Sequence, residues 1–393
     1  MRWTSTVSGK PHIDAAVDEA AAAVRAALGD ADPDLLIAFV SEHHRNDFAR
    51  VPEMLAARFG AAPLVGCSAG GVIGGGKEIE QSPGFSLTAA VLPGVELIPF
   101  HVDGSHVPLS NDVAAWERLL GVAAALEPHF VLLPDPFSVE AEAFLRGLDL
   151  AYPRSHKVGG LASGGREPGA NALFLGRSVH RAGVVGVALA GDIAVDTIVA
   201  QGCRPIGQPM FITKAQRNIL WELDGRSAVQ VLRDLYEELT PADQELARHS
   251  LFLGIVMNEA QQQYGQGDFL IRNIVGLDPQ REVLAIGALL QDNSVVQFHL
   301  RDAKTSADDL EQLLSQYEPT VRGASPQGAL LFSCLGRGLH LYGRPDHDTE
   351  AFQRHIGAVP LGGFFCNGEI GPVHGTTFLH GYTSAFGLFR RRG

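Results

Sequence analysis

A glycine-rich turn that occurs three times constrains the fold of this chain more than any other feature of its sequence. The copies span residues 63–76, 157–165 and 359–375, and each follows a short apolar run. All three contain the pattern G-x-x-x-[G/N]-G, in which Asn replaces Gly once. Asn is the non-glycine residue that best tolerates a positive φ, so the pattern predicts one backbone shape for the three turns.

The aligned pattern begins at Gly66, Gly160 and Gly363. An apolar run of strand length and a helical segment precede each of these glycines, and a further strand follows each turn. Matching order and similar separations indicate internal duplication, with three β-α-β-turn-β units. Within each unit, the strand–helix–strand order predicts a parallel, right-handed crossover.

The predicted fold class is α/β, with internally repeated β-α-β-turn-β units forming mixed sheets and a mixed-sheet insert in the C-terminal half. Residues 1–30 are predicted to form a lead-in with an Ala-rich helix over Ile13–Leu28. Residues 31–205 hold two repeat units. Residues 206–393 hold the insert, rich in short strands, followed by the third unit.

The amino-acid composition excludes several classes of protein. The chain has 393 residues, of which 46% are apolar and 19% charged, so a substantial core is expected. A net charge of −13, with no basic block except Arg390–Arg392, argues against nucleic acid as a partner. Four widely spaced cysteines without a C-x-x-C pair favour a reducing compartment. No apolar run approaches the roughly 20 residues of a membrane span, so we expect a cytoplasmic protein without membrane insertion.

Two groups of residues are candidates for ligand binding. His299 and Arg301 lie at strand spacing and project to one face, and Arg272 interrupts another apolar strand. An Arg on a sheet face can hold a carboxylate bidentately. The second group surrounds the third turn. The complete candidate set is Arg272, His299, Arg301, Cys334, Arg337, Cys366, Asn367, Glu369 and His380. This site supposes that the two groups meet in space, with anion contacts added by backbone N–H groups of the turns.

Other kinds of site have weaker support. Gly66–Gly70 matches the G-x-S-x-G elbow of hydrolases, but no helix is predicted after it, as the elbow requires. A hydrolase using Ser68 or Cys366 remains an alternative. A P-loop match ends in Glu78 where Ser or Thr is needed. Haem is a further alternative, with His340 and His380 as candidate axial ligands. We assign no catalytic residues and no metal ligands.

The motifs resemble those of a known family. LVGCSAGGVIGGGKEIE is similar to the FIST N domain, whose name stands for F-box and intracellular signal transduction. PMFITKAQRNILWELDG, FHLRD, LFSCLGRG and VPLGGFFCNGEIGPVHGTTFLHGYTSAFGLF resemble the FIST C domain. The similarity extends over roughly residues 30–390. It implies a sensory module for small ligands such as amino acids, coupled to signalling outputs.

The resemblance also implies two variations, because some bacterial relatives are haem-binding nitric oxide sensors and eukaryotic relatives carry an F-box. This sequence shows no F-box, kinase, cyclase or methyl-accepting segment, so a separate partner protein is expected to supply the output. The expected function is therefore a sensory protein that binds an amino acid or other small polar metabolite. An enzymatic role is left open as the less favoured alternative.

Overall fold

The computed structural model describes residues 1–108, 112–317 and 325–392. Its packing divides the chain into two compact units. The first unit comprises Met1–Val199, Glu311–Leu379 and Thr383–Gly393, and the second comprises Ala200–Leu310 and His380–Tyr382. Most of the third repeat unit therefore packs with the first two, and the insert forms the second unit together with His380–Tyr382.

The strands up to the insert are β1 (Arg2–Ser8), β2 (Leu35–Ser41), β3 (Leu64–Ala69), β4 (Gly71–Gly74), β5 (Lys77–Glu80), β6 (Phe85–Val91), β7 (Val95–Val102), β8 (His129–Pro134), β9 (Lys157–Gly160), β10 (Leu173–Leu175), β11 (Ser178–His180), β12 (Val184–Gly191) and β13 (Ala194–Ala200). The insert contains β14 (Arg204–Gln216), β15 (Ile219–Leu223), β16 (Arg226–Ser227), β17 (Leu251–Val256), β18 (Phe269–Asp278), β19 (Val283–Ile286) and β20 (Val295–Leu300). The remaining strands are β21 (Gly328–Cys334), β22 (Leu361–Cys366), β23 (Glu369–Val373), β24 (Thr376–His380) and β25 (Ser384–Arg390).

The α-helices are α1 (Ile13–Leu28), α2 (Val51–Phe59), α3 (Val113–Leu120), α4 (Ala141–Ala151), α5 (Ala228–Glu238), α6 (Pro241–Ala247), α7 (Ala303–Gln316), α8 (Gly338–Tyr342) and α9 (His347–Ile356). Helix α1 has the predicted bounds. It ends at Gly29, whose positive φ of 62° leaves the helix while its N–H still donates to Arg25 O. Among the described helices, none combines the length and hydropathy that crossing a bilayer requires.

The first unit contains three six-stranded sheets built on one scheme. In each sheet, a central strand runs parallel to one neighbour and antiparallel to the other. The central strands are β2, β8 and β21, their parallel neighbours are β3, β9 and β22, and their antiparallel neighbours are β6, β12 and β25. The strands of the central trios are largely buried, which explains their nearly continuous apolar sequences. The predicted α/β class with mixed sheets is confirmed.

The hairpin that follows each turn joins the sheet of another repeat unit. Strand β4 pairs with β22, β10 pairs with β3, and β23 pairs with β9. Each of the three sheets is therefore completed by a segment from a different repeat. This exchange draws the three glycine-rich turns toward one region of the first unit.

The register identifies which glycines correspond. Gly66, Gly159 and Gly363 each lie beside the central strand of their sheet, and a Cβ there would fall 2.0, 1.9 and 1.9 Å from a carbonyl oxygen of that strand. A side chain is therefore sterically excluded at all three positions. The counterpart in the second copy is Gly159, one residue before the Gly160 of the sequence alignment.

The expectation of a positive φ at the fifth position of the turn pattern is wrong. Neither Gly70 nor Asn367 is among the described residues with a positive φ. Gly70 is required for another reason, because a Cβ there would lie 2.5 Å from Leu335 Cδ2. Close packing against Leu335, and not backbone handedness, explains the glycine at Gly70.

The second unit is a single sheet in the order β14-β20-β17-β18-β19-β15-β16, with a further pairing between β14 and β15. Its described pairings are antiparallel. The hydrophobic core on one face includes Leu253, Phe298 and Leu300, together with Val229 and Val231 of α5. The insert is thus an antiparallel sheet with α5 packed on one face, whereas the sequence predicted a mixed sheet here.

Candidate functional site

The three turns meet at a cavity of about 530 Å³ in the first unit. Gly70 follows β3, Ser163 lies just beyond β9, and Asn367 follows β22, and all three line this cavity. The cavity therefore lies at the carboxyl ends of the parallel strand pairs, where ligands of α/β proteins characteristically bind. The remaining lining residues are Glu42, Gly71, Glu80, Gln81, Phe137, Gly165, Arg166, Leu335, His340 and Phe365.

A more open depression of about 800 Å³ lies at the amino ends of β2 and β3. Its lining includes Asp34 and Pro63, which immediately precede these two strands, and Arg25 of α1. Its lining includes no residue of the three G-x-x-x-[G/N]-G patterns. We therefore take the cavity at the carboxyl ends as the candidate site.

Hydrogen bonds through Ser163 join the three turns at the cavity. The Gly70 N–H donates to Ser163 Oγ at 2.9 Å, and Ser163 Oγ donates to Phe365 O at 2.5 Å. The Asn367 N–H donates to Leu161 O at 3.2 Å. Each turn is thereby held against the others, which keeps the cavity preformed.

The cavity contains charges of both signs. Glu42 and Glu80 supply carboxylates, Arg166 supplies a guanidinium, and His340 supplies an imidazole. Glu80 Oε1 accepts a hydrogen bond from the Leu339 N–H at 2.8 Å, and burial raises the pKa of Glu80. Such a lining can contact both a cationic and an anionic group on one small ligand.

Cys366 and Glu369 lie together immediately behind this lining. Cys366 Sγ donates to Glu369 Oε1 at 3.5 Å, and the Thr383 N–H donates to Glu369 Oε2 at 3.0 Å. Both side chains are fully buried. Burial raises the pKa of Glu369 to about 7 and the pKa of the Cys366 thiol well above its ordinary value.

Arg337 has a structural role near the third turn, where it forms a buried ion pair. Its Nε and Nη2 atoms donate to Asp348 Oδ2 and Oδ1 at 2.9 and 3.2 Å, and both side chains are buried. Although burial opposes ionisation, the guanidinium holds the pKa of Asp348 well below its usual range. Nearby, burial raises the pKa of Glu78 to about 8, while Glu78 Oε1 accepts from the Thr349 N–H at 2.9 Å.

Four predicted ligand residues belong to the second unit, namely Arg272, His299, Arg301 and His380. His299 packs against the Phe269 ring, with ring centroids 4.9 Å apart, and its Nδ1 lies 3.0 Å from Gln297 O. Burial lowers the pKa of His299 to about 4. Arg301 stacks over the ring of Tyr382 at 5.0 Å from the centroid. His380 is buried at the end of β24.

The strand register separates Arg272 from His299. Arg272 lies opposite Leu253, and Leu253 lies opposite Phe298. Directly opposed residues share a face of an antiparallel sheet, and successive residues alternate between faces. Arg272 is therefore on the face of Phe298, and His299 is on the other.

Of the nine predicted ligand residues, Asn367 lines the cavity, and Cys366 and Glu369 contact each other behind it. Cys334 lies at the end of β21, beside Cys366. Ser163, Glu80 and Arg166 were missed. No residue type recurs at the position of Ser163 in the three copies of the turn pattern. Glu80 reaches the cavity only because β4 and β5 join the third sheet.

The surroundings of Ser68 differ from those of a hydrolase nucleophile. Its hydroxyl donates to Asn171 Oδ1 at 3.2 Å and accepts from the Ala172 N–H at 2.9 Å. Asn171 Nδ2 in turn donates to Asp135 Oδ1 at 2.9 Å. Ser68 is fully buried, and its following segment is the β4–β5 hairpin rather than a helix. These contacts describe a structural hydroxyl, not an exposed nucleophile beside a histidine base.

The two candidate haem ligands occupy different places. His340 lines the cavity, whereas His380 belongs to the second unit. Throughout the described ranges, no group of three His, Cys, Asp or Glu side chains is arranged to hold a metal ion.

Comparison with known proteins covers nearly the whole chain. The FIST N domain matches residues 34–226, and the FIST C domain matches residues 228–372. An uncharacterized protein of Mycobacterium tuberculosis is 37% identical over 389 residues, which cover 99% of this chain and 100% of that protein. An uncharacterized protein of Mycobacterium bovis is 36% identical over 389 residues, which cover 99% of each chain.

Two solved structures show a distant likeness. A cyanuric acid hydrolase from A. caulinodans aligns with a TM-score of 0.26 and 14% identity, over 51% of this chain and 72% of that one. Another cyanuric acid hydrolase structure aligns with a TM-score of 0.33 and 8% identity, over 100% of both chains. Scores this low carry no inference about this chain.

Proposed function

Because the chain belongs to the FIST family, whose domains are associated with sensory small-ligand binding in signalling, we propose that it is a sensor for a small polar metabolite held among the three turns. The ligand occupies the cavity of about 530 Å³ in the first unit. Signal output through a separate cytoplasmic partner protein is part of the same proposal.

The observation that carries the proposal is the convergence of Gly70, Ser163 and Asn367 on one cavity. These residues come from three distant parts of the chain, and Ser163 hydrogen-bonds to the other two turns. A ligand that contacts all three turns changes the free energy of each. Such a ligand couples the conformations of segments that are distant in sequence, and a sensor requires such coupling between ligand binding and conformation.

The lining favours an amino acid among small polar metabolites. Arg166 can bind a carboxylate, and Glu42 or Glu80 can bind an ammonium group. Phe137 and Leu335 offer apolar contact for a side chain. The volume is within the usual range of about 300–1,000 Å³ for small-molecule sites.

A thermal-shift screen of the purified chain with the twenty common amino acids tests this function. A ligand at about 100 times its dissociation constant stabilises the folded state by about 2.7 kcal/mol. We expect at least one amino acid to raise Tm in a saturable way. No saturable shift with any amino acid would remove the amino acid assignment.

Matched variants locate the binding. Arg166→Ala should weaken the affinity for the amino acid found in the screen by about tenfold or more, because it removes a charged contact worth about 1.5–3 kcal/mol. Arg177→Ala is the control, since Arg177 is also an exposed arginine of the first unit and does not line the cavity. Equal loss in both variants, or in neither, would contradict the assigned site.

The visible spectrum of the same sample decides the haem alternative. A Soret band that disappears in His340→Ala would place haem at the cavity and replace the amino acid proposal. His106→Ala provides the control, because His106 is an exposed histidine away from the cavity lining. We expect no Soret band.

A further inference from the structure

Two cysteines are register partners at the ends of adjacent parallel strands. Cys334 closes β21 and Cys366 closes β22, and the two residues are paired in the β21–β22 ladder. Neighbouring strands lie about 4.7–4.9 Å apart, which is within the Cα separation of about 4.4–6.8 Å found in disulfides. Register partners also project to the same face of a sheet.

The side chain of Cys366 already leans toward β21. Its Sγ donates to Ser333 O at 3.4 Å, and Ser333 immediately precedes Cys334. Gly160 of β9 leaves room for the Cys366 side chain, because a Cβ on Gly160 would lie 2.8 Å from Cys366 Sγ. Closing a disulfide therefore requires rotation of side chains and little movement of the strands.

The two thiols differ in access. Cys366 is fully buried, whereas Cys334 is partly exposed. The Gly336 N–H donates to Cys334 Sγ at 3.4 Å, which favours negative charge on the sulfur. An oxidant arriving from solvent meets Cys334 first. Glu369 Oε1, 3.5 Å from Cys366 Sγ, is placed to take the proton of the second thiol.

We propose that Cys334 and Cys366 form a reversible disulfide when the protein meets a hydroperoxide. The Cys334 thiolate attacks the peroxide oxygen, the O–O bond breaks, and a sulfenic acid and an alcohol result. Cys366 sulfur then attacks the Cys334 sulfur, its proton passes to Glu369, and the sulfenic hydroxyl leaves as water after protonation. Two thiols lose two electrons, and the peroxide is reduced. A dithiol reductant reverses the reaction by exchange.

The pairing is particular to the third repeat. The register partners at the ends of β2 and β3 are Ser41 and Ala69, which occupy the positions of Cys334 and Cys366 in the first sheet. Cys67 lies beside Phe39 and Leu173 in its sheet. The strand ends of the third sheet thus bring two sulfur atoms together where the first sheet has a hydroxyl and a methyl group.

The disulfide has a consequence for the cavity, and this consequence rests on the proposed ligand site. Leu335 and Asn367 directly follow the two cysteines, and both line the cavity. Covalent closure of the strand ends changes the freedom of both residues. We expect ligand affinity to differ between the reduced and the oxidised protein.

Peptide mapping of the full chain tests the disulfide directly. After treatment with hydrogen peroxide, alkylation and digestion without reductant, we expect a cross-linked peptide pair containing Cys334 and Cys366. Free thiols should fall from the four cysteines of the chain to two, and dithiothreitol should restore them. Retention of four thiols, or stable sulfinic acid at Cys334 without the cross-link, would overturn the proposal.

Variants separate the two chemical steps. Cys366→Ala should leave a sulfenic acid at Cys334 that dimedone labels, and Glu369→Gln should slow closure of the disulfide by about tenfold or more, as expected for loss of a proton acceptor. Cys203→Ser is the control and should form the cross-link at the wild-type rate. Circular dichroism checks that each variant is folded. Labelling of Cys334 only after unfolding would also overturn the proposal.

The ligand experiment is distinguishable from the thiol experiment. Thermal shifts with the amino acid from the screen are measured on reduced and peroxide-treated protein. A cross-link that forms without changing the shift would overturn the coupling to the cavity and leave the disulfide standing. A missing cross-link would overturn the disulfide while the ligand site stands.

Discussion

At the scale of single residues, Glu369 most clearly distinguishes the third turn from the first. It pairs with Gly160, as Val72 of the first copy pairs with Phe364 at the corresponding place in the hairpin exchange. A buried carboxylate thus stands where the first copy has an aliphatic side chain. The sequence analysis included Glu369 in the candidate set, but its burial and its hydrogen bond to Cys366 depend on strand pairings that the sequence does not display.

Glu369 predicts a specific dependence of stability on pH. Burial raises its pKa from an ordinary 4.5 to about 7, so between these values the folded protein holds a proton that the unfolded chain releases. Its contribution is therefore most favourable at or below about pH 4.5 and declines as pH rises to about 7, by roughly 3 kcal/mol in total. Urea unfolding of wild type and Glu369→Gln at pH 5 and pH 8 measures this.

We expect the loss of unfolding free energy between pH 5 and pH 8 to be smaller in Glu369→Gln than in wild type. Glu78, whose pKa burial raises to about 8, contributes in the same direction to both proteins and cancels in the comparison. An equal pH dependence in the two proteins would show that Glu369 does not hold its proton.

The Arg337–Asp348 pair predicts a large effect of a single substitution. Arg337→Met leaves the Asp348 carboxylate buried without its guanidinium, which should lower the unfolding free energy by about 3–5 kcal/mol. Arg344→Met is a matched control, because Arg344 forms an exposed pair with Glu350 at 2.6 Å that should contribute about 0–1 kcal/mol. Urea unfolding at pH 7 gives both values, and similar losses in the two variants would contradict the account.

At the scale of elements, the sequence predicted the positions of strands and helices where burial produces a regular pattern of apolar residues. Helix α1 has the predicted bounds, and β2 is the apolar run of strand length predicted before the first turn. The exchange of the hairpins was not predictable. Strands β4, β10 and β23 are short, and a pairing between segments so distant in sequence leaves no local signal.

The recurring glycine beside each central strand predicts a packing effect. Gly159→Ala places a Cβ 1.9 Å from the Leu132 carbonyl oxygen, which cannot move without disturbing the β8–β9 ladder. We expect a loss of about 3 kcal/mol of unfolding free energy, at the upper end of overpacking effects. Gly9→Ala, where the nearest atom outside adjacent residues is 3.5 Å away, should change stability little. Equal effects in thermal unfolding would contradict this explanation.

At the scale of the whole chain, the three turns were predictable as repeats, but their meeting was not. The sequence assigned the site to the third turn together with Arg272, His299 and Arg301, which belong to the second unit. Ser163 and Arg166 belong to no distinctive sequence motif. They line the cavity because of where the three sheets place them, and the sequence does not show that placement. Ligand binding in this cavity should therefore be detectable at three separate parts of the chain.

Hydrogen exchange by mass spectrometry, with and without the amino acid from the thermal screen, shows whether one ligand contacts all three turns. We expect simultaneous ligand-induced protection of residues 66–71, 161–166 and 365–369, because the three turns line one cavity. Residues 211–216, in β14 of the second unit, serve as an internal reference that should not change. Protection confined to one turn, or centred on residues 269–278 and 295–301, would contradict a ligand site shared by the three turns.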